Sequence, residues 1–164
     1  MKKILKYTII GIISFFLVLL VFSNLLRWAK QGAFLKYDNG VTIEVYNSSK
    51  QVITDLNFYF SFSGYHVYQD LGTINQLKPG EKTSRYSHQI KDTGNDRSLY
   101  LQYPINKTEA EVESLAYLPS YKPSKVVVIL EITGTDNKGK LLFKVRGYEN
   151  VFGQYEFDLT SDRE

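Results

Sequence analysis

Metal binding and acid–base catalysis draw mainly on histidine, cysteine and carboxylate side chains, and this chain of 164 residues holds two histidines and no cysteine. Composition alone removes disulfides and thiolate metal sites. His66 and His88 each fall in a segment that reads as a strand. His66 shares a strand face with Asp70, but four residues of extended chain set them about 13 Å apart, too far to chelate one ion. Carboxylates cluster at Asp92 and Asp96 and at Glu109, Glu111 and Glu113. Those positions read as polar loop or the surface of a short helix, so solvated charge is the expected role. Neither a Gly-x-Ser-x-Gly elbow nor a phosphate-cradling glycine pattern occurs. The expectation is a chain with no catalytic residue, no metal ligand and no cofactor.

Tyrosine is the residue type in excess, with thirteen in all and twelve of them beyond Lys30. A ring that is apolar in body and polar at its tip suits the faces and rims of sheets, and it also suits surfaces that recognise proteins or sugars. Tyr59 alternates out of phase with Leu56, Phe58, Phe60 and Phe62, so it is expected on the opposite face. Tyr117 and Tyr121 flank Pro119 and Pro123 in an expected exposed loop. These three tyrosines are the candidate partner contacts.

The positioning elements begin with the N-terminus. From Tyr7 to Leu26 no residue is charged, and fourteen of the twenty are Leu, Ile, Val or Phe. Twenty helical residues span about 30 Å, the thickness of a bilayer's hydrocarbon layer. Tyr7, Phe15, Phe16, Leu19 and Leu26 are expected to meet lipid. Arg27 and Trp28 follow as an interfacial anchor of snorkelling cation and amphipathic ring. A cleaved signal peptide would carry a shorter apolar run and a small-x-small site, which is absent before Ala29 and Ala33. The reading is a cytoplasmic stub at 1–6, a transmembrane helix at 7–26, a juxtamembrane linker at 27–40 and an extracytoplasmic domain at 41–160. Residues 1–30 hold five of the twenty basic residues and none of the seventeen acids, which leaves the outer part near −2. That balance lacks the basic stripe of a nucleic-acid binder.

The outer part alternates with period two. Val41, Ile43 and Val45 form one half-buried strand, and Leu56 to Phe62 form the clearest one. Tyr65–Leu71, Thr83–Ile90, Leu99–Tyr103, Leu141–Tyr148 and Tyr155–Leu159 are further strand candidates. Val126 to Ile132 is nearly continuous apolar, as expected of a central strand buried on both faces. Asp38-Asn39-Gly40, Leu77-Lys78-Pro79-Gly80-Glu81 and Asp136-Asn137-Lys138-Gly139 read as turns. Asn47-Ser48-Ser49 and Asn106-Lys107-Thr108 match the glycosylation sequon and otherwise read as turns. Thr108 with Glu111 has capping-box spacing, which predicts one short helix ending before Pro119. The expected fold is mainly β: an N-terminal transmembrane helix, then an antiparallel immunoglobulin-like β-sandwich with at most one short helix.

Within residues 41–90, the order Val41-Thr42-Ile43-Glu44-Val45, Asn47-Ser48-Ser49-Lys50, Asp55-Leu56 and Leu77-Lys78-Pro79-Gly80-Glu81 resembles the opening half of FxLYD-type immunoglobulin-like domains of bacterial surface proteins. Phe58-Tyr59-Phe60-Ser61-Phe62 stands in the region of their Phe-x-Leu-Tyr-Asp signature. The resemblance implies an exported sandwich and no functional residue, since such domains share no activity. Three functions are then open. The first is a non-catalytic anchored module that binds a protein or cell-wall partner. The second is an immunity or secretion-accessory factor acting on a membrane neighbour, and the third is an enzyme acting on wall polymers.

Overall fold

A single long helix opens the chain, because fourteen branched or aromatic apolar residues with no Pro among them leave the backbone no reason to break. In the computed structural model, which describes residues 2–62, 66–106, 108–119, 123–150 and 153–160, this helix α1 runs Lys2–Gln31. It is longer than the expected 7–26 and absorbs the first part of the expected linker 27–40. A 3₁₀ turn, Gly32–Lys36, follows. Every side chain from Tyr7 to Lys30 is exposed. The polar residues are satisfied within the helix: Ser23 Oγ donates to the Leu20 carbonyl at 2.9 Å and Asn24 Nδ2 to the same oxygen at 2.8 Å. Residues 1–36 and 37–164 are separate units.

Among the described residues the second unit holds nine strands: β1 Gly40–Asn47, β2 Ile53–Ser61, β3 Val67–Leu77, β4 Lys82–Ser87, β5 Arg97–Pro104, β6 Ala110–Leu118, β7 Lys125–Thr135, β8 Leu141–Glu149 and β9 Gly153–Asp158. They form a five-stranded sheet in the order β4-β1-β7-β8-β9 and a four-stranded sheet in the order β3-β2-β5-β6. The arrangement is that of a β-sandwich. Ile43, Val45, Val128, Leu130 and Phe143 from the first sheet pack in one core with Leu56, Phe58, Phe60, Leu99 and Leu101 from the second. Two ties join the layers at one end. The Leu141 amide donates to the Tyr103 hydroxyl at 3.2 Å, and Lys140 meets Glu111 at 2.5 Å.

Three expectations are corrected. The sheets are not antiparallel throughout, since β1 runs parallel to β7 with Ile43 opposite Val128. The expected short helix after Thr108 is strand β6. Asn106 builds the turn before it by accepting from the Thr108 and Glu109 amides at 2.9 and 3.0 Å and from the Thr108 hydroxyl at 3.0 Å, while Glu111 pairs with Lys140, so both side chains of the expected capping box are engaged elsewhere. A bulge pairs Leu99 with Ala116 but Tyr100 with Ser114, so consecutive residues Leu115 and Ala116 are both buried and the period-two signal is lost. The run Val126–Ile132 is central and faces the core through Val126, Val128, Leu130 and Ile132; on its other face Val127 is buried but Ile129 and Glu131 are only half-buried. The turn expected at Gly64 and the start of the strand expected at Tyr65 lie outside the described residues.

Local chemistry fixes the register. Gly40 has φ +112°, and a Cβ there would lie 2.3 Å from the Ser87 carbonyl oxygen, so only glycine admits β4 beside β1. Asp55 sits at φ +56°, a conformation Asp tolerates, and this lets Ile53 and Leu56, three apart, both face inward. Asn47, fully buried, is the hub of its turn. Its Nδ2 donates to the Gln51 and Leu77 carbonyls at 2.7 and 3.0 Å, and its Oδ1 accepts from Ser49 N and Oγ at 3.0 and 2.6 Å. An amide so engaged is closed to glycosylation in the folded domain.

Gly147 is needed for a different reason. The Tyr155 ring lies over it, and a Cβ at 147 would come within 2.1 Å of that ring. Two predictions follow from these packings. Asn47→Ala should lower the unfolding free energy by about 2–4 kcal/mol, because two carbonyls and the Ser49 donors lose their partner in a buried site. Asn47→Asp should be as harmful, since it sets an oxygen against both carbonyls; urea unfolding reads both, and a loss below the error would contradict the role. Gly147→Ala should cost about 1–3 kcal/mol by displacing the ring. Most of that cost should vanish in a Tyr155→Ala background, as a double-mutant cycle would show.

Candidate functional site

The expected membrane contacts are all at the surface of α1. Tyr7, Phe15, Phe16, Leu19, Leu26 and Trp28 are between 45% and 71% exposed, and Arg27 is exposed beside them. An apolar helix uncovered on every side has no soluble face to present.

The two described candidate tyrosines, Tyr59 and Tyr117, are not brought into one site. Tyr59 does point away from the core cluster, but it is closed off at 2% exposure, with its ring stacked on Tyr100 at 5.9 Å across the β2–β5 ladder. Tyr117, half exposed, lies on β6 and donates its hydroxyl to Asp96. That hydrogen bond holds the proton and pushes the phenol pKa up. Pairing of Tyr59 with Tyr100, and of Tyr117 with Ser98, puts Tyr59 and Tyr117 on strands separated by β5, about 10 Å apart across the sheet. Tyr121 lies outside the described residues.

Among the concave surfaces of the described sandwich, two carry tyrosine beside charged side chains. The outer face of the five-stranded sheet forms a cleft of about 540 Å³ lined by Glu44, Tyr46, Lys82, Glu131, Lys144 and Arg146 among others. Register lays these charges in rows, with Lys82, Tyr46, Glu131, Lys144 and Asp158 side by side across the five strands. Lys82 meets Glu44 at 2.7 Å and Lys144 meets Asp158 at 3.5 Å. Such an alternating face is a solvated surface whose exposed pairs add little to stability. The second surface is a groove of about 310 Å³ at the seam of the sheets, lined by Leu115, Ala116, Tyr117, Glu149, Tyr155 and Phe157. The Tyr155 hydroxyl there is buried with no hydrogen-bond partner among the described residues. Burial first, and then the Glu149 charge, push its pKa up.

Sequence reasoning missed Arg97. It is 1% exposed, among the largest fully buried side chains of the domain. Its alternation with Leu99, Leu101 and Tyr103 was the available signal, since a strand that turns those three inward turns Arg97 inward as well. Nη1 is held by long contacts to Asn95 O at 3.3 Å, Thr93 Oγ1 at 3.5 Å and Pro119 O at 3.5 Å. Nε and Nη2 have no partner among the described residues, and neither does the buried hydroxyl of Tyr68 nearby. Tyr68 stacks on Phe62 at 5.0 Å and on Phe60 at 6.1 Å. Burial raises its pKa to about 12 against the opposing pull of the Arg97 charge. Among the described residues no group of three His, Cys, Asp or Glu could hold a metal ion.

Fold and surfaces together define a mainly β, two-sheet domain behind one apolar N-terminal helix of the kind that serves as a signal anchor or signal sequence. No family model, curated protein or solved structure matches the chain.

The buried phenols set an alkaline limit. Tyr68 titrates near 10 in the unfolded chain and near 12 in the folded one, so its contribution is whole below pH 10 and is lost as pH rises through 12. The urea midpoint of the full chain in detergent micelles should therefore fall between pH 10 and 12. Tyr68→Phe should flatten that fall, and an unchanged slope in the variant would contradict the burial of this hydroxyl.

Proposed function

We propose that this protein is a single-pass, membrane-anchored, non-catalytic module whose immunoglobulin-like β-sandwich stands outside the cytoplasmic membrane and binds a protein or wall partner there. One observation carries the reading: α1 exposes apolar side chains on every side while the sandwich completes a core of its own. An apolar helix exposed among the described residues, followed by a domain with its own core, is the layout of a tether and its cargo. Lys2, Lys3 and Lys6 before the apolar run favour an inside N-terminus. The described surface supports binding better than turnover. Its charged cleft is laced with opposed pairs, whereas half-exposed Tyr117 stands at the mouth of an apolar seam beside the Asp96 carboxylate.

Photo-cross-linking in intact cells tests this reading. A photoreactive side chain at Tyr117 should give a discrete adduct that one at the distant Asn137 turn does not. Protease sensitivity of the adduct would mark a protein partner, and sensitivity to wall-degrading enzymes a wall partner. Equal yields from the two positions would overturn the assignment of this surface.

A further inference from the structure

We propose that the buried Arg97 guanidinium, with the Tyr68 hydroxyl beside it, is a recognition site for a carboxylate presented by the partner. The argument begins with which nitrogens lack acceptors. Nε and Nη2 bound the side-on edge of a guanidinium, where two N–H bonds run parallel and match the two oxygens of a carboxylate or phosphate. These are the two atoms of Arg97 without a partner among the described residues, while Nη1 alone is engaged. No described carboxylate pairs with this cation, and the neighbouring Asp96 is taken by the Tyr117 hydroxyl.

A lone cation enclosed by protein is costly, and replacing it by an apolar residue would ordinarily stabilise the fold. Its presence on the inward phase of β5 calls for an anion. Charge selects which anion. One guanidinium neutralises one carboxylate, whereas a phosphate dianion would leave a net charge of about −1 in the same enclosed place. Tyr68, protonated across the physiological range, supplies a third, neutral donor. The surroundings are apolar: Tyr68 stacks on fully buried Phe60 and on Phe62, which is 46% exposed at the surface. They suit a carboxylate borne on an apolar stem.

Access runs past the loop of residues 91–96. Its grip on the guanidinium is through the Thr93 and Asn95 contacts at 3.5 and 3.3 Å, beyond the usual range of a firm hydrogen bond. Its ends are tied by Lys91 N to Gln69 Oε1 at 2.9 Å and by the Tyr117 hydroxyl to Asp96, while between them it is held by short-range bonds such as Gly94 N to Asp92 Oδ1 at 3.2 Å. Lifting it breaks no strand pairing. The inference rests on the proposed binding role only for the source of the carboxylate; the site itself is tested with a small molecule.

Full-length protein in detergent micelles, with 15N-labelled arginine, would be titrated with sodium propionate, with inorganic phosphate and with chloride at matched ionic strength. The Arg97 Nε–H resonance, assigned by its loss in Arg97→Met, should shift and saturate with propionate alone, and the melting temperature should rise along the same curve. Tyr68→Phe should weaken propionate about 3- to 10-fold, and Arg97→Lys, which lacks the fork, by about tenfold or more. No saturable shift in the wild-type protein, an equal response to phosphate, or a melting response that survives in Arg97→Met would each overturn the proposal. Failure here with a Tyr117 adduct intact would leave the module reading standing; propionate binding without any adduct would sink that reading and keep the site.

Discussion

Water is a poor medium for the apolar side chains of α1. Fourteen Leu, Ile, Val and Phe side chains between Tyr7 and Leu26 are uncovered, and taking each out of water is worth about 1.5–3 kcal/mol, some tens of kcal/mol in sum. That gain is one of transfer out of water, open to the helix whatever the rest of the chain does. Such a helix is of the kind that serves as a signal anchor or signal sequence, and the strands beyond it have a core of their own. Ser23 and Asn24 fit the same constraint, because each returns its donor to the Leu20 carbonyl instead of seeking water.

Folding without the helix explains how the sandwich is built. Its core is drawn from both sheets, and the parallel pairing of β1 with β7 joins the first strand of the domain to one more than 75 residues later. Contacts of that span close the fold, while turns set the register locally. Asn47 carries four side-chain hydrogen bonds at the end of β1, and Gly40 and Gly147 yield space that any Cβ would fill. Such a frame is rigid where side chains interdigitate. It is least constrained at the strand ends, where the loop before β5 touches Arg97 only through long contacts.

Much of this was legible in the residues. Period-two alternation in Val41–Val45 and Leu56–Phe60, and the Pro-Gly turn at residues 79–80, state their structure directly because each side chain's environment follows from its own position. The helix is legible for the same reason, although its ends are not: residues after Leu26 continue helical without being apolar. What stayed hidden depends on partners far away in sequence. A bulge that admits both Leu115 and Ala116 to the interior made β6 resemble a helix, and the direction of β1 relative to β7 leaves no mark on either strand. Tyr59 was placed on the correct face, yet its closure at 2% exposure follows from neighbours such as Tyr100. Arg97 was overlooked because charge suggests surface, although its phase with Leu99 and Leu101 pointed inward.

A tether that holds a folded domain outside the cytoplasm is the claim on which the rest stands, and the absence of cysteine allows it to be read with one thiol. Lys138→Cys places that thiol in the exposed turn between β7 and β8. Intact cells treated with a membrane-impermeant maleimide should yield labelled, full-length protein that stays with the membrane pellet through alkaline extraction. Label that appears only after lysis, or that resides in a shorter soluble product, would contradict the account.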